Sequence, residues 1–170
     1  GLSNESAWGT AQWLRLAEDG ALPRMASIQN EYSLLCRLFD TDLAELAHNE
    51  DVGLLAFSPL ACGLLTGKYQ ADTPPPQGSR KSITSDLGGR ITPRLWPAID
   101  AYAGIAAEFG IDMSQMALAW AMRRPFMGSV IFGATTLDQL ATAIGSAELE
   151  LSDDIMARID STHKDHPMTY

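Results

Sequence analysis

Phe57-Ser58-Pro59-Leu60-Ala61-Cys62-Gly63-Leu64-Leu65-Thr66-Gly67-Lys68-Tyr69 is the stretch on which the reading of this chain turns. A short apolar run, Val52 to Phe57, leads into it. A run of that length without helical spacing reads as a buried strand of a parallel sheet. Ser58-Pro59 ends the strand, because proline lacks an N–H and fixes its own φ. Two glycines (Gly63 and Gly67), the Thr66 hydroxyl and Lys68 follow. A backbone that turns sharply at the C-terminal end of a strand, with free N–H groups and a cation nearby, is a seat for a phosphate.

Working outward, the flanking segments alternate between strand and helix. Gly1-Leu2-Ser3-Asn4 reads as the end of a strand, with Asn4 or Ser3 capping a helix that runs to about Asp19. Ala7, Ala11 and Leu14 fall on one side of that helix with Trp8 beside them, and Gly20 supplies the left-handed stop. Met25 to Ile28 forms a short strand ending in Gln29-Asn30, and Glu31 to Leu38 an irregular loop. Asp42 and Glu45 are spaced as a capping box that opens a helix to about Asn49.

Beyond the opening stretch, Asp72 to Pro93 carries Pro74-Pro75-Pro76, Gly78 and Gly88-Gly89 and reads as a long loop. Helices follow from about Leu95 to Phe109 and from the cap Asp112 to about Arg124. Ser129 to Phe132 is a strand, Gly133-Ala134-Thr135-Thr136 a turn, and Thr136 with Gln139 a second capping box. A last helix runs from near Ser152 to near His163, leaving a polar tail to Tyr170. Strand, helix, strand with short connections is the rhythm of a parallel α/β sheet.

The residues at the strand ends resemble the aldo-keto reductase family, especially the branch that includes the potassium-channel β subunits. Phe-Ser-Pro-Leu at Phe57–Leu60 looks like the end of that family's seventh barrel strand, Gly-Leu-Ser-Asn at Gly1–Asn4 like the fifth, Ile-Gln-Asn-Glu-Tyr-Ser at Ile28–Ser33 like the sixth, and Ile-Phe-Gly-Ala-Thr-Thr-Leu-Asp-Gln-Leu at Ile131–Leu140 like the eighth. The resemblance implies a fold: residues 1–170 as a single partial domain, the C-terminal half of a (β/α)8 barrel, with a long loop at 72–93. It also implies a cofactor, NADP(H). Ser3, Asn4 and Gln29 would hold the nicotinamide carboxamide, and Phe57 would stack on the ring. Ser58, Pro59, Leu60, Ala61 and Gly63 would wrap the pyrophosphate with Lys68 as cation and Arg80 as clamp. Gly133, Thr135 and Gln139 would meet the adenosine end. Gly133 and Ala143 stand where many members carry a lysine and an asparagine, which leaves the choice between NADPH and NADH open.

The implied reaction is reduction of an aldehyde or ketone to an alcohol. The family's Asp, Tyr, Lys and His tetrad lies on the first four strands, so no catalytic residue is assigned to this chain. Tyr32, Lys68, Asp40 and His48 are the right residue types for substitutes, but two of them flank an outer helix and Lys68 is claimed by phosphate. A half barrel leaves strand edges unpaired, so the expected partner is a missing N-terminal half or a second copy joined edge to edge. A nucleotide-sensing regulatory subunit and an inactive cofactor-binding fragment are the alternative readings.

Composition narrows the rest. With 170 residues and 46% apolar content the chain can bury a core. Net charge −9 disfavours nucleic acid and anionic membranes as partners. Cys36 and Cys62 are the only cysteines and show no paired motif, which suggests a cytoplasmic protein with reduced thiols. The three histidines show no metal spacing. The opening Gly1-Leu2-Ser3, without methionine, reads as a chain cut into rather than begun.

Overall fold

The computed structural model describes residues 1–20 and 22–170. Its strands are β1 (Leu2–Ser3), β2 (Ser27–Glu31), β3 (Gly53–Phe57) and β4 (Met127–Val130). They form a single sheet in the order β1-β2-β3-β4, and every pairing is parallel. Helices connect them: α1 (Ala7–Glu18), α2 (Leu43–Glu50), a four-residue α3 (Arg80–Ile83), α4 (Leu95–Glu108), α5 (Met113–Met122), α6 (Leu137–Gly145) and α7 (Asp153–Asp165). This parallel α/β arrangement is that of part of a (β/α)8 barrel.

Alternation along β3 assigns the two faces of the sheet. Leu54 and Ala56 are buried, as is Ile28 on β2, and belong to one core with Leu95, Met116 and Trp120 of the helical layer. Gly53, Leu55 and Phe57 point the other way and stay partly exposed. Ser3, Gln29, Leu55 and Ser129 pair across the ladder on that second face. The run from Val52 to Phe57 is expected to be buried throughout, yet only alternate residues are fully buried, because the strand turns its other side chains to a face that is partly exposed. Apolar side chains are exposed beside the edges as well. Trp8 on α1 is 75% exposed, and Leu137 and Ile144 on α6 are 82% and 61% exposed.

Local chemistry accounts for the ends of the helices. Ser6, not Ser3 or Asn4, caps α1, its Oγ accepting from the Gly9 amide at 3.1 Å. Asn4 sits at φ 53 and donates its own amide to the Gln29 carbonyl at 2.9 Å, so it closes the strand and cannot begin the helix. Trp8 and Ala11 accordingly face outward, while Gly9, Thr10 and Leu14 are the buried positions of α1. Asp42 caps α2, Asp112 caps α5 and Ser152 caps α7 through their side-chain oxygens. We expect Ser6→Ala to lower stability by about 1 kcal/mol and Ser3→Ala to leave it unchanged, as read by urea unfolding.

β4 begins two residues earlier than its apolar run suggests. Leu54 pairs with Met127 and Leu55 with Ser129, so Gly128 is an extra residue bulged between them. A Cβ at Gly128 would lie 3.3 Å from the Leu54 carbonyl oxygen, a close approach that favours glycine there. The segment after Val130, through Ala141, is exposed at every residue. The polar tail is less free than its composition implies, because Thr169 is buried and donates to the Leu35 carbonyl at 2.8 Å.

A charged cluster lies under the loop after β2. The Tyr32 hydroxyl donates to Asp40 Oδ1 at 2.8 Å and Arg37 Nε donates to Asp40 Oδ2 at 2.8 Å, with Arg124 3.5 Å away. Arg37 reaches Asp160 on α7 at 3.0 Å. The Tyr32 ring stacks on Trp120 at 5.2 Å.

Candidate functional site

The turn after β3 is built from backbone conformations that most side chains avoid. Ser58, Ala61 and Cys62 have φ of 51°, 47° and 58°, and Gly63 has φ of 92°. Each non-glycine residue in the left-handed region costs about 1–2 kcal/mol, and such strain concentrates where function requires a particular backbone. Successive residues of this kind curl N–H groups toward one concave surface, as in anion-binding nests. Among the described residues, the amides of Ser58 and Leu60 find no backbone acceptor, whereas those of Ala61 and Gly63 close the turn onto Ser58 and Leu60 carbonyls. Pro59 and Ala61 are buried beneath it.

Two cations stand over this turn. A Cβ built on Gly63 would lie 2.8 Å from Lys68 Cε and 2.9 Å from Nζ, so the lysine occupies the space a larger residue would fill. Lys68 also lies over the Tyr69 ring at 5.1 Å. Arg80 opens α3, and its guanidinium approaches Cys62 Sγ at 3.6 Å. The Lys81 amide donates to the buried Tyr69 hydroxyl at 3.1 Å, which pins the start of α3 to the chain just past the turn. Both Lys68 and Arg80 are exposed and form no ion pair among the described residues. Free amides, two unneutralised cations and a glycine cradle together suit an anion such as a pyrophosphate. This local field opposes the overall negative charge of the protein.

The remaining candidates distribute along the same rim. Ser3 and Asn4 end β1, Gln29 lies in β2 in register with Ser3, and Phe57 ends β3 in register with Glu31. The Asn4 side chain donates to Ser3 Oγ at 3.0 Å, and with Ser6 serving as cap neither residue is committed to α1. Thr135 and Gln139 form a separate unit beyond β4, where Gln139 Oε1 accepts from the Thr135 amide at 2.9 Å and its hydroxyl at 3.1 Å. Thr136 caps α6, but Gln139 turns to Thr135 and does not complete a reciprocal box. A Cβ at Gly133 would meet nothing within 4 Å, and Ala143 is buried on the inward side of α6.

Of the possible substitutes for an acid–base tetrad, Tyr32 and Asp40 meet inside the charged cluster under the β2 loop. Tyr32 is fully buried, and burial together with the Asp40 carboxylate pushes its phenol well above the usual range, which suits a structural donor and not a proton source. His48 is exposed on α2. No group of three or more His, Cys, Asp or Glu residues among those described could hold a metal ion. No helix of the described residues is long and apolar enough to cross a membrane.

Glu31, Arg90 and Tyr170 also meet at this rim and were not singled out from sequence. Glu31 follows Gln29 by two and so shares its face of β2, a signal that strand alternation carries. Nothing local marks Arg90 or Tyr170, which reach Glu31 from 59 and 139 residues away.

The Aldo/keto reductase family model matches residues 1–164. "Protein tas" of Escherichia coli (strain K12) is 46% identical over 164 residues, covering 96% of this chain and 47% of that protein. An "Aldo-keto reductase" of Babesia bovis is 34% identical over 173 residues, covering 96% of this chain and 60% of its own length. A "Putative voltage-gated potassium channel subunit beta" of Schizosaccharomyces pombe (strain 972 / ATCC 24843) is 32% identical over 169 residues, covering 90% and 48%. The chain therefore spans about half the length of these curated relatives. With a parallel β/α sheet and a family match along nearly its whole length, the chain belongs to the aldo/keto reductase family.

Proposed function

We propose that this chain forms the NADP(H)-binding half of an oxidoreductase that reduces aldehydes or ketones to alcohols. The observation that carries the reading is the strained turn at Ser58–Gly63 with Lys68 and Arg80 standing over it. A dinucleotide, when bound, supplies the hydride for carbonyl reduction. The chain's own contribution is to hold and orient it. The Ser58 and Leu60 amides and the two cations take the pyrophosphate. Phe57 offers a ring face at the rim for the nicotinamide, beside Ser3, Asn4 and Gln29 for its carboxamide. Thr135, Gln139 and Gly133 receive the adenosine end, with the solvent-open space at Gly133 available to a 2′-phosphate.

In this reading the acid–base residues come from further β/α units that complete the barrel. Support comes from the edges of β1 and β4, unpaired among the described residues, and from the apolar side chains exposed on the helices beside them, Trp8 on α1 and Leu137 and Ile144 on α6. Parallel sheets are stable when both faces are covered. Either an N-terminal half barrel or a second copy paired through the two edges would supply that cover. A cytoplasmic setting fits two free thiols.

Titration with NADPH, followed through the fluorescence of the four tryptophans, tests the binding floor. We expect saturation by NADPH, and Phe57→Ala to weaken it by roughly 5- to 150-fold, the range for loss of one aromatic stacking contact of about 1–3 kcal/mol. No response at millimolar cofactor would remove the reading. The likeness to a protein named as a putative potassium channel subunit favours a second possibility, a nucleotide-sensing regulatory subunit. Carbonyl-dependent oxidation of NADPH by the protein joined to its barrel partner separates the two, since a sensor, like an inactive fragment, binds without turnover.

A further inference from the structure

Helices α1 and α2 follow the paired strands β1 and β2 and run side by side on the outer surface. A groove of about 400 Å³ opens between them. Ala7, Ala11 and Leu14 of α1 and Leu46 of α2 form its apolar part. Ala7, Ala11, Leu14 and Glu18 recur at spacings of three and four, so this wall follows one face of α1 along its length. At about 1.5 Å per residue that is roughly 16 Å, or about three helical turns. Ala11 is exposed and Ala7 half-buried, and side chains this short leave the seam between the helices unfilled.

The charge along the groove is one-sided. Glu18 on α1 and Asp42, Glu45 and Glu50 at α2 line it, against Arg15 as the lining cation. Arg24 pairs with Glu50 at 3.5 Å, while Glu18, Asp42 and Glu45 form no ion pair among the described residues. The groove shares no residue with the candidate cofactor site, whose cations are Lys68 and Arg80. Closing the barrel across the edges of β1 and β4 would leave it open, because the strands behind it already pair with each other.

These features specify an occupant. Both walls are helices whose backbone groups bond within themselves, so no strand edge is offered. A chain entering the groove must satisfy its own N–H and C=O groups, and a helix does so. The alanines let it approach closely, and the carboxylates call for Lys or Arg on its flanks. We propose that the groove between α1 and α2 docks a basic amphipathic helix of a partner protein, with its aliphatic stripe on Ala7, Ala11 and Leu46 and its cations beside Glu18 and Glu45. The net charge of −9 speeds the encounter with such a partner. The inference stands apart from the cofactor reading, since a chain that binds no dinucleotide can still dock this helix.

The probe is an acetylated, amidated peptide of Lys, Arg, Leu and Ala with leucines at helical positions i, i+3, i+4 and i+7. Its control has the same composition in an order without helical periodicity. Heteronuclear NMR of the full chain should show saturable amide shifts confined to α1 and α2, with the control binding at least tenfold more weakly. Ala11→Leu fills the groove without changing its charge, at an exposed position where leucine suits a helix nearly as well as alanine. It should weaken binding at least tenfold, and so should Glu18→Gln combined with Glu45→Gln. Raising the salt from about 0.1 M to about 1 M shortens the screening length from about 10 Å to about 3 Å. That change should weaken the parent at least tenfold and the doubly neutralised chain much less. No shifts in the parent, or shifts scattered over the surface, overturn the proposal. Equal binding of probe and control means that the acidic surface merely attracts cations, and overturns the groove. Full binding by a folded Ala11→Leu chain overturns the docking mode; if that variant loses its dispersed amide signals, full binding by the doubly neutralised chain does so instead.

Discussion

Trp120→Ala should lower the unfolding free energy by about 3–5 kcal/mol, the range for removing a fully buried large aromatic. Against a typical total of about 5–15 kcal/mol for a domain, that is a large fraction of the stability. Trp120 lies on α5 with no exposed surface, and its ring stacks on Tyr32 at 5.2 Å with an interplanar angle of 13°. Arg37 and Arg124 lie over the same ring at 5.0 and 5.4 Å. Truncation therefore opens a cavity and removes the surface that orders two guanidinium groups around Asp40. The melting temperature should fall on the order of 10 °C, since about 1 kcal/mol moves it by 2–4 °C at this size. Trp120→Phe is the informative control. The indole N–H has no partner among the described residues, so phenylalanine forfeits no hydrogen bond and should cost much less. Equal losses from both variants, measured by thermal denaturation, would show that volume is not what Trp120 contributes. The effect should also reach the rim, because the Tyr32 amide donates to the Phe57 carbonyl at 3.2 Å.

Gly63→Val should weaken NADPH binding by at least tenfold with a smaller loss of stability. At φ 92° a β-branched residue is strained, at about 1–2 kcal/mol for leaving the allowed regions. Its Cβ would also fall within 2.8–2.9 Å of the end of Lys68. That end is flexible, so the lysine can swing away at little cost to the fold. What is lost is the cation over the turn, and a charge-assisted contact is worth about 1.5–3 kcal/mol, or roughly 10- to 150-fold in affinity. Gly67→Val separates the two contributions. Gly67 has φ of 77°, and a Cβ there would meet nothing within 4 Å, so it carries backbone strain without displacing Lys68. Fluorescence titration of both variants decides the matter: equal weakening by Gly63→Val and Gly67→Val would mean that strain alone disturbs the turn and that Lys68 is not the reason Gly63 is glycine.

Much of this molecule was legible before folding. The strand-ending Ser58-Pro59, the cap residues Asp42, Asp112, Thr136 and Ser152, and the glycine stop at Gly20 act within a few residues of themselves, and the structure uses each where its chemistry puts it. The cap of α1 is not legible locally, because Ser3, Asn4 and Ser6 are all competent cap residues, and the hydrogen bond from the Asn4 amide to the Gln29 carbonyl chooses among them. The start of β4 shifted for a similar reason: a bulge at Gly128 is decided by the neighbouring strand.

Sequence by itself determined the β/α rhythm and the residues that close each strand, because helix capping, proline termination and apolar spacing are local effects set by adjacent side chains. Only the tertiary structure decided which side of β3 is covered, where Lys68 and Arg80 stand relative to Cys62 and Gly63, and that Glu31, Arg90 and Tyr170 share one carboxylate. Those outcomes depend on contacts between residues remote along the chain, whose partners are fixed by how the sheet and its loops close in space.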